Sequence, residues 1–271
     1  MNDFTYFPGC SLHATAREYD ESLRAVAREA GLSLREIKDW CCCGATPAHA
    51  LDPKAAEILG RWNLAQATKA GKSPVLTGCA SCFSRLRAVR EKTDLAVLHI
   101  AQVLNHPEMR EKLAAKIRKP LQGLKVACYY GCLLTRPRGE DAVDDAENPR
   151  ILEDLVRLTG AEAVDWPLRL DCCGASMALP RPDLVRELSG KILTMAHERG
   201  ADVVMVACPL CHSNLDFQQE AALKGRDFRI PIVYLTQLIG LALGIPVQKL
   251  GLQRHFVPVP AKEWLKEPAH V

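Results

Sequence analysis

Residues 41–46 read CCCGAT and residues 171–176 read DCCGAS. Superposing the two stretches pairs Cys42 with Cys172 and Cys43 with Cys173, and sets Cys41 against Asp171. The pairing continues outward. Upstream, FPGCSL and YYGCLL match Cys10 with Cys132; downstream, GCASC and ACPLC match Cys79 with Cys208 and Cys82 with Cys211. Gly31 and Gly160, Pro53 and Pro182, Gly71 and Gly200, and Cys79 and Cys208 all share an offset of 129 residues. Proline and glycine punctuate helix starts and stops, so a shared offset means shared element lengths. The chain is therefore read as an internal duplication, with one unit over residues 1–122 and a second over 123–271.

Within each unit, short β-rich runs lead to each cysteine group. TYF (residues 5–7) and KVACYY (125–130) read as first strands, LREIKDW (34–40) and EAVDWP (162–167) as second strands. PVLTG (74–78) and DVVMVA (202–207) read as third strands, and AVLHI (96–100) and PIVYL (231–235) as fourth. Helices are expected over 13–30, 53–70, 149–159 and 182–199, with Asn148 and Pro149 at an N-cap and first helical position. Strands alternating with helices predict an α/β fold, each unit a small parallel sheet flanked by helices. Every cysteine group then lies beyond the carboxyl end of a strand, where parallel sheets place their ligand sites.

The composition narrows the chemistry. The chain has 35 basic and 32 acidic residues and a hydrophobic share of 48%, an ordinary globular balance that does not favour nucleic-acid binding. The N-terminal MNDFTYFPGC has no charged segment followed by an apolar one, so no secretory leader is expected. The apolar stretch 230–247 is interrupted by Pro231, Gln237 and Pro246, and reads as a buried strand running into a short helix rather than a membrane span. Twelve cysteines without an export signal point to metal or redox chemistry rather than disulfides.

Each unit offers five matched thiols: a single cysteine, an adjacent pair and a Cys-x-x-Cys. Structural zinc is closed by four ligands and leaves one thiol unused. An iron–sulfur cluster contains several irons, and adjacent cysteines pointing apart can serve different irons. The fifth thiol favours iron–sulfur, with zinc as the competing reading. The ferredoxin run Cys-x2-Cys-x2-Cys-x3-Cys-Pro is absent, as are glycine-rich nucleotide motifs, so electrons must come from a partner.

The spacing Cys10-x31-Cys42-Cys43-x35-Cys79-x2-Cys82 closely resembles the cysteine-rich CCG motif found in the B subunits of heterodisulfide reductases. The second copy, Cys132-x39-Cys172-Cys173-x34-Cys208-x2-Cys211, resembles it with one residue fewer in the second gap. The resemblance implies a noncubane [4Fe–4S] cluster in each unit. Cys10, Cys42, Cys43, Cys79 and Cys82 would hold one, and Cys132, Cys172, Cys173, Cys208 and Cys211 the other. It implies two clusters that face each other and make or break a disulfide or persulfide by paired one-electron transfers. It also implies a ferredoxin-like iron–sulfur subunit and a flavin subunit as partners, while the many cysteines without an export signal give the expectation of a cytoplasmic location. Related cysteine-rich domains occur in glycolate, glycerol phosphate, lactate and succinate dehydrogenase systems, which gives a second reading as an electron-transfer or docking subunit. Some relatives carry zinc in one copy, and a zinc-stapled structural protein is the third reading.

Other residues carry weaker signals. His212, beside Cys211, is a candidate to hydrogen-bond cluster sulfur or to protonate a leaving thiolate, although the plainer reading of a helix N-terminal residue is favoured. His13 and His49 lie near cysteine groups, and Arg136 and Arg138 near Cys132, where they would attract an anion. Cys41, opposite Asp171, is expected to stand outside the ligand set, and Cys128 to be a buried structural thiol. The tail with Phe256 and Trp264 is expected to pack on its own unit.

Overall fold

The alternation of short apolar runs with proline-opened, glycine-closed amphipathic segments produces two sheets of the same topology. The computed structural model describes residues 2–45, 48–71, 73–90, 93–136 and 142–265. The first half runs β1 (Asp3–Tyr6), α1 (Gly9–His13), α2 (Arg17–Ala30), β2 (Ser33–Glu36), α3 (Ala48–Leu51), α4 (Pro53–Ala70), β3 (Val75–Thr77), α5 (Ala80–Ala88) and β4 (Val97–His99). Helices α6 (Ile100–Asn105) and α7 (Pro107–Ala114) then lead to the second half. There follow β5 (Lys125–Tyr129), α8 (Ile151–Leu158), β6 (Glu162–Val164), α9 (Pro182–Glu198), β7 (Val203–Val206), α10 (Pro209–Asp216), α11 (Gln219–Ala222), β8 (Ile232–Tyr234) and α12 (Leu235–Ala242).

All pairings within the two sheets are parallel, and the strand orders are β2-β1-β3-β4 and β6-β5-β7-β8. In each sheet the chain steps outward from the first strand to the second, then returns to place the third on the other side. The switch between β1 and β3, or β5 and β7, opens the crevice in which such sheets bind ligands. Gly31 (φ 73°) and Gly160 (φ 84°) close the helices before the second strands in the left-handed conformation, the residue and geometry that end helices most cheaply. Asp52 caps α4 by accepting from the Ala55 N–H at 3.0 Å, just ahead of Pro53.

The elements expected from the sequence are present, with two corrections. The helix expected over residues 13–30 is broken: α1 stops at His13, and the Ala14 and Ala16 N–H groups turn back onto Cys10 and Ser11 carbonyls before α2 begins at Arg17. Asn148 does not cap α8. Asp144 does so, accepting from Arg150 and Ile151 N–H at 2.5 and 2.6 Å, while Asn148 Oδ1 takes the Arg169 guanidinium at 2.5 Å. The apolar stretch 230–247 forms β8 and the wholly buried α12, and among the described residues no helix is long and apolar enough to cross a membrane.

The two sheets share one continuous core. Helix α2 of the first half lies on α12 of the second, the Tyr19 ring stacks on Tyr234 with centroids 4.1 Å apart, and Ser22 Oγ meets Thr236 Oγ1 at 2.7 Å. Among the described residues the buried Tyr19 hydroxyl has no hydrogen-bond partner, so the ring, not the hydroxyl, joins the halves. Tyr19→Ala is expected to cost about 3–5 kcal/mol of stability, as for other large buried rings, and Tyr19→Phe to be neutral or stabilising. Denaturant unfolding of both variants checks this, and an equal cost for the two would contradict it.

Candidate metal centres at the seam of the two sheets

The cysteine groups follow the carboxyl ends of β1, β2 and β3 in one sheet and β5, β6 and β7 in the other, so the topology brings three chain-distant groups together twice. All twelve thiols are free. In the first half Cys10 Sγ lies 3.9 Å from Cys42 Sγ, Cys43 Sγ 3.2 Å from Cys82 Sγ, and the Cys82 N–H points to Cys79 Sγ at 3.5 Å. In the second half Cys132 and Cys172 lie close enough to shift each other's ionisation, as do Cys208 and Cys211, and Cys173 Sγ lies 3.6 Å from Cys211 Sγ. In the second half the adjacent pair divides its partners, Cys172 turning to Cys132 and Cys173 to Cys211; in the first, Cys42 meets Cys10 and Cys43 meets Cys82 while the two also touch each other.

Glycines make room for this. Gly44 and Gly174 (φ 78° and 77°) take the left-handed conformation and turn their N–H groups back onto Cys42 Sγ at 3.4 Å and Cys172 Sγ at 3.3 Å. This gives the Cys-Cys-Gly triplet a physical basis. Gly9 and Gly131, one residue before the single cysteines, are also left-handed (φ 70° and 64°). A Cβ there would stand 2.9 Å from Cys82 Sγ or 3.0 Å from Cys211 Sγ. Each set of thiols thus sits in a cradle that only a residue without a side chain leaves open.

The electrostatics of the thiols are those of a site that wants a cation. Hydrogen bonding to Cys10 holds the Cys42 thiol far below the ordinary cysteine range, while Cys10 is pushed up by the same contact. Cys43 is raised to about 12 by its contact with Cys42, and Cys82 is raised by Cys43, Cys79 and burial. In the second half Cys172 falls to about 6 through hydrogen bonding to Cys132, with help from the Gly174 N–H and the Arg136 charge. Cys132 and Cys211 are raised. One or two thiolates per set hold their neighbours protonated, because like charges cannot crowd into a buried site. A metal centre bound there would supply the positive charge that lets all of them ligate as thiolates.

The two sets meet. Cys79 and Cys208, each 3% exposed, lie close enough across the seam for each to shift the other's ionisation, Cys79 upward and Cys208 downward, and Ser81 Oγ lies 3.7 Å from Cys208 Sγ. Cys41 stands apart from the other thiols: its Sγ faces the Cys42 and Leu59 carbonyls at 3.6 and 3.9 Å, and Asn63 Oδ1 holds its N–H at 2.8 Å. Cys128 is fully buried in β5, and burial pushes its thiol up.

His212 is buried, stacked on Tyr234 with centroids 4.3 Å apart, and its Nε2 faces the Ile232 carbonyl at 3.2 Å and His255 Nδ1 at 3.1 Å. With Asp216 it forms a group whose ligand-type atoms lie within 4.8 Å of one another. Both Asp216 oxygens already accept N–H groups, from Phe256 and Val257. His255 is engaged on both nitrogens, by Ile232 O and Gln237. That group is satisfied without a cation. His13 is exposed with its ring edge on Trp40, His49 is half-buried on α3, and Arg138 lies outside the described residues. Trp264 packs against the core, and the Phe256 ring, 68% exposed, leans on Phe217.

Several residues of the site gave no readable signal. Asn214 donates to Cys173 O at 3.0 Å and lies 3.6 Å from its Sγ; Asn63 does comparable work at Cys41. Both are polar residues on buried helix faces, a pattern too common to single out. His99, at the carboxyl end of β4, is fully buried on the seam, and only its place after a fourth strand could have marked it.

Comparison with known proteins agrees with this geometry. The family described as CCG, cysteine-rich domain, matches residues 4–87 and again 126–216. The 8-methylmenaquinol:fumarate reductase membrane anchor subunit of Wolinella succinogenes is 35% identical, over 95% of this chain and 98% of that one. The B subunit of the ferredoxin/F(420)H(2)-dependent CoB-CoM heterodisulfide reductase of Methanosarcina acetivorans is 27% identical, over 95% and 94%. A hypothetical protein from Helicobacter pylori of known crystal structure shares the fold at a TM-score of 0.73 and 14% identity, with this chain spanning 52% of its length. The chain belongs to the CCG cysteine-rich domain family, as a two-copy member homologous along most of its length to the B subunits of heterodisulfide reductases.

Proposed function

We propose that the chain is the iron–sulfur subunit of a multi-subunit oxidoreductase and holds one [4Fe–4S] cluster in each half. Cys10, Cys42, Cys43, Cys79 and Cys82 would hold the first, and Cys132, Cys172, Cys173, Cys208 and Cys211 the second. The observation that carries this reading is the convergence of five thiols per half in glycine-lined cradles. Five ligands exceed what one tetrahedral zinc uses and suit a noncubane cluster with irons in different environments. Such a cluster, when bound, supplies one-electron transfer. The chain's own residues set its surroundings: Cys79 and Cys208 bring the two sets into contact, and Gly44 and Gly174 direct N–H groups at sulfur.

The substrate we propose is a disulfide or persulfide. Breaking an S–S bond takes two electrons, and two centres touching across one seam can provide them together. Electrons would arrive from a ferredoxin-like iron–sulfur subunit and a flavin subunit in the cytoplasm. The Wolinella relative favours a second reading, in which the chain passes electrons between a quinol-side partner and a fumarate-reducing one without a sulfur substrate of its own.

Cys42→Ser or Cys43→Ser is expected to lose the first cluster by iron analysis, while Cys41→Ser keeps both; loss of iron from Cys41→Ser would shift the ligand register by one. Gly131→Ala adds about 1–2 kcal/mol of backbone strain and a Cβ against Cys211, and is expected to lose the second cluster while circular dichroism stays unchanged. The complex isolated with its partner subunits is expected to reduce disulfides or persulfides with a reduced viologen donor. Turnover of menaquinol with fumarate, and none with sulfur substrates, would select the second reading.

A further inference from the structure

We propose that His99 is a positioning residue that clamps the two Cys-x-x-Cys turns to each other across the seam. Its neighbours fix its tautomer. His99 opens α6 in a capping box: its main-chain N–H donates to Gln102 Oε1 at 3.0 Å, and its Nδ1 accepts the Ala101 N–H at 3.2 Å. Because Nδ1 is an acceptor, the ring proton of the neutral imidazole sits on Nε2. Nε2 faces two carbonyl oxygens, Gly78 O at 2.8 Å and Ala207 O at 3.1 Å. One N–H is shared between them.

Those two carbonyls are in matched places. Gly78 precedes Cys79 and Ala207 precedes Cys208, so each belongs to the residue that launches a Cys-x-x-Cys turn, one from each half. The ring is 0% exposed, and Phe83, on the helix that follows Cys79, meets it edge-on with centroids 5.9 Å apart. A ring fixed by its own helix cap on one side and by Phe83 on another gauges the distance between the turns: sliding either turn breaks one arm of the shared bond. The matching residue of the second half, Tyr234, does no such work. It stacks on Tyr19 and His212 and points its hydroxyl at Glu18, 3.4 Å away. The clamp is therefore single, and lies on the first half alone. On the iron–sulfur reading above, it also fixes how strongly the two clusters interact.

The test uses the full-length chain and two readouts. In the first, the metal-stripped chain is treated with diamide. This small diazene oxidant takes two electrons and two protons from the Cys79 and Cys208 thiols to become its hydrazine, leaving a Cys79–Cys208 disulfide that peptide mass spectrometry counts. His99→Phe, which keeps a ring against Phe83, and His99→Leu both remove the N–H, so misfolding of one leaves the other. Either is expected to form the cross-link about 10- to 100-fold more slowly than the parent, the penalty of misplacing reacting groups by an ångström or so. His99→Gln, which retains a side-chain N–H, is expected to recover much of the rate. Ser22→Ala removes a different cross-seam bond and is expected to leave the rate unchanged. A parental rate in both donor-less variants, or an equal slowing in Ser22→Ala, overturns the clamp. In the second readout, the anaerobically reconstituted parent is expected to show spin–spin splitting between its two clusters, which His99→Phe loses at full iron content. A parent without iron, whose cross-linking still depends on His99, would sink the cluster reading and leave the clamp standing.

Discussion

Sulfur crowded into a dry space is the constraint from which the rest of this molecule follows. Ten matched thiols collect at the ends of six parallel strands, and most of them are buried. Left alone they cannot ionise together: a thiolate at Cys42 keeps Cys10 and Cys43 protonated, and one at Cys172 does the same to Cys132. Such a set is held ready for a centre of high positive charge rather than stable for its own sake. The left-handed glycines before each single cysteine and after each adjacent pair are the conformational counterpart, leaving open the space that side chains would fill.

Because each set lies at a switch point, joining the sheets carboxyl end to carboxyl end puts the third-strand cysteines of both halves in contact. The duplication supplies two like sets of thiols, and the seam makes them neighbours. Its two faces are built differently, however. One is an aromatic stack of Tyr19, Tyr234 and His212, and the other is a single imidazole between two carbonyls.

The sequence made the strands, most helices and the cysteine register legible for a physical reason. Short continuous apolar runs, prolines at helix starts and glycines at helix ends are local signals, and the duplication let each copy check the other. Setting Cys41 against Asp171 singled out the one thiol of the triple run whose Sγ faces backbone carbonyls instead of sulfur. Relations that join distant residues were hidden. Asp144 rather than Asn148 caps α8 because a loop folds back six and seven residues, and α1 breaks at Ala14 because Ser11 captures the backbone. The cross-seam contacts of Tyr19, Ser81 and His99 depend on how the halves dock, which neither copy encodes by itself.

The proposed iron centres would lie on either side of one seam, one beside Cys79 and the other beside Cys208. Anomalous scattering at the iron edge, from crystals grown without oxygen, would locate them without recourse to activity. Two separate iron-rich centres are expected, one bounded by Cys10, Cys42, Cys43, Cys79 and Cys82 and the other by Cys132, Cys172, Cys173, Cys208 and Cys211. Signal at the zinc edge alone, or iron at one set with the other closed around a single four-coordinate ion, would contradict this arrangement.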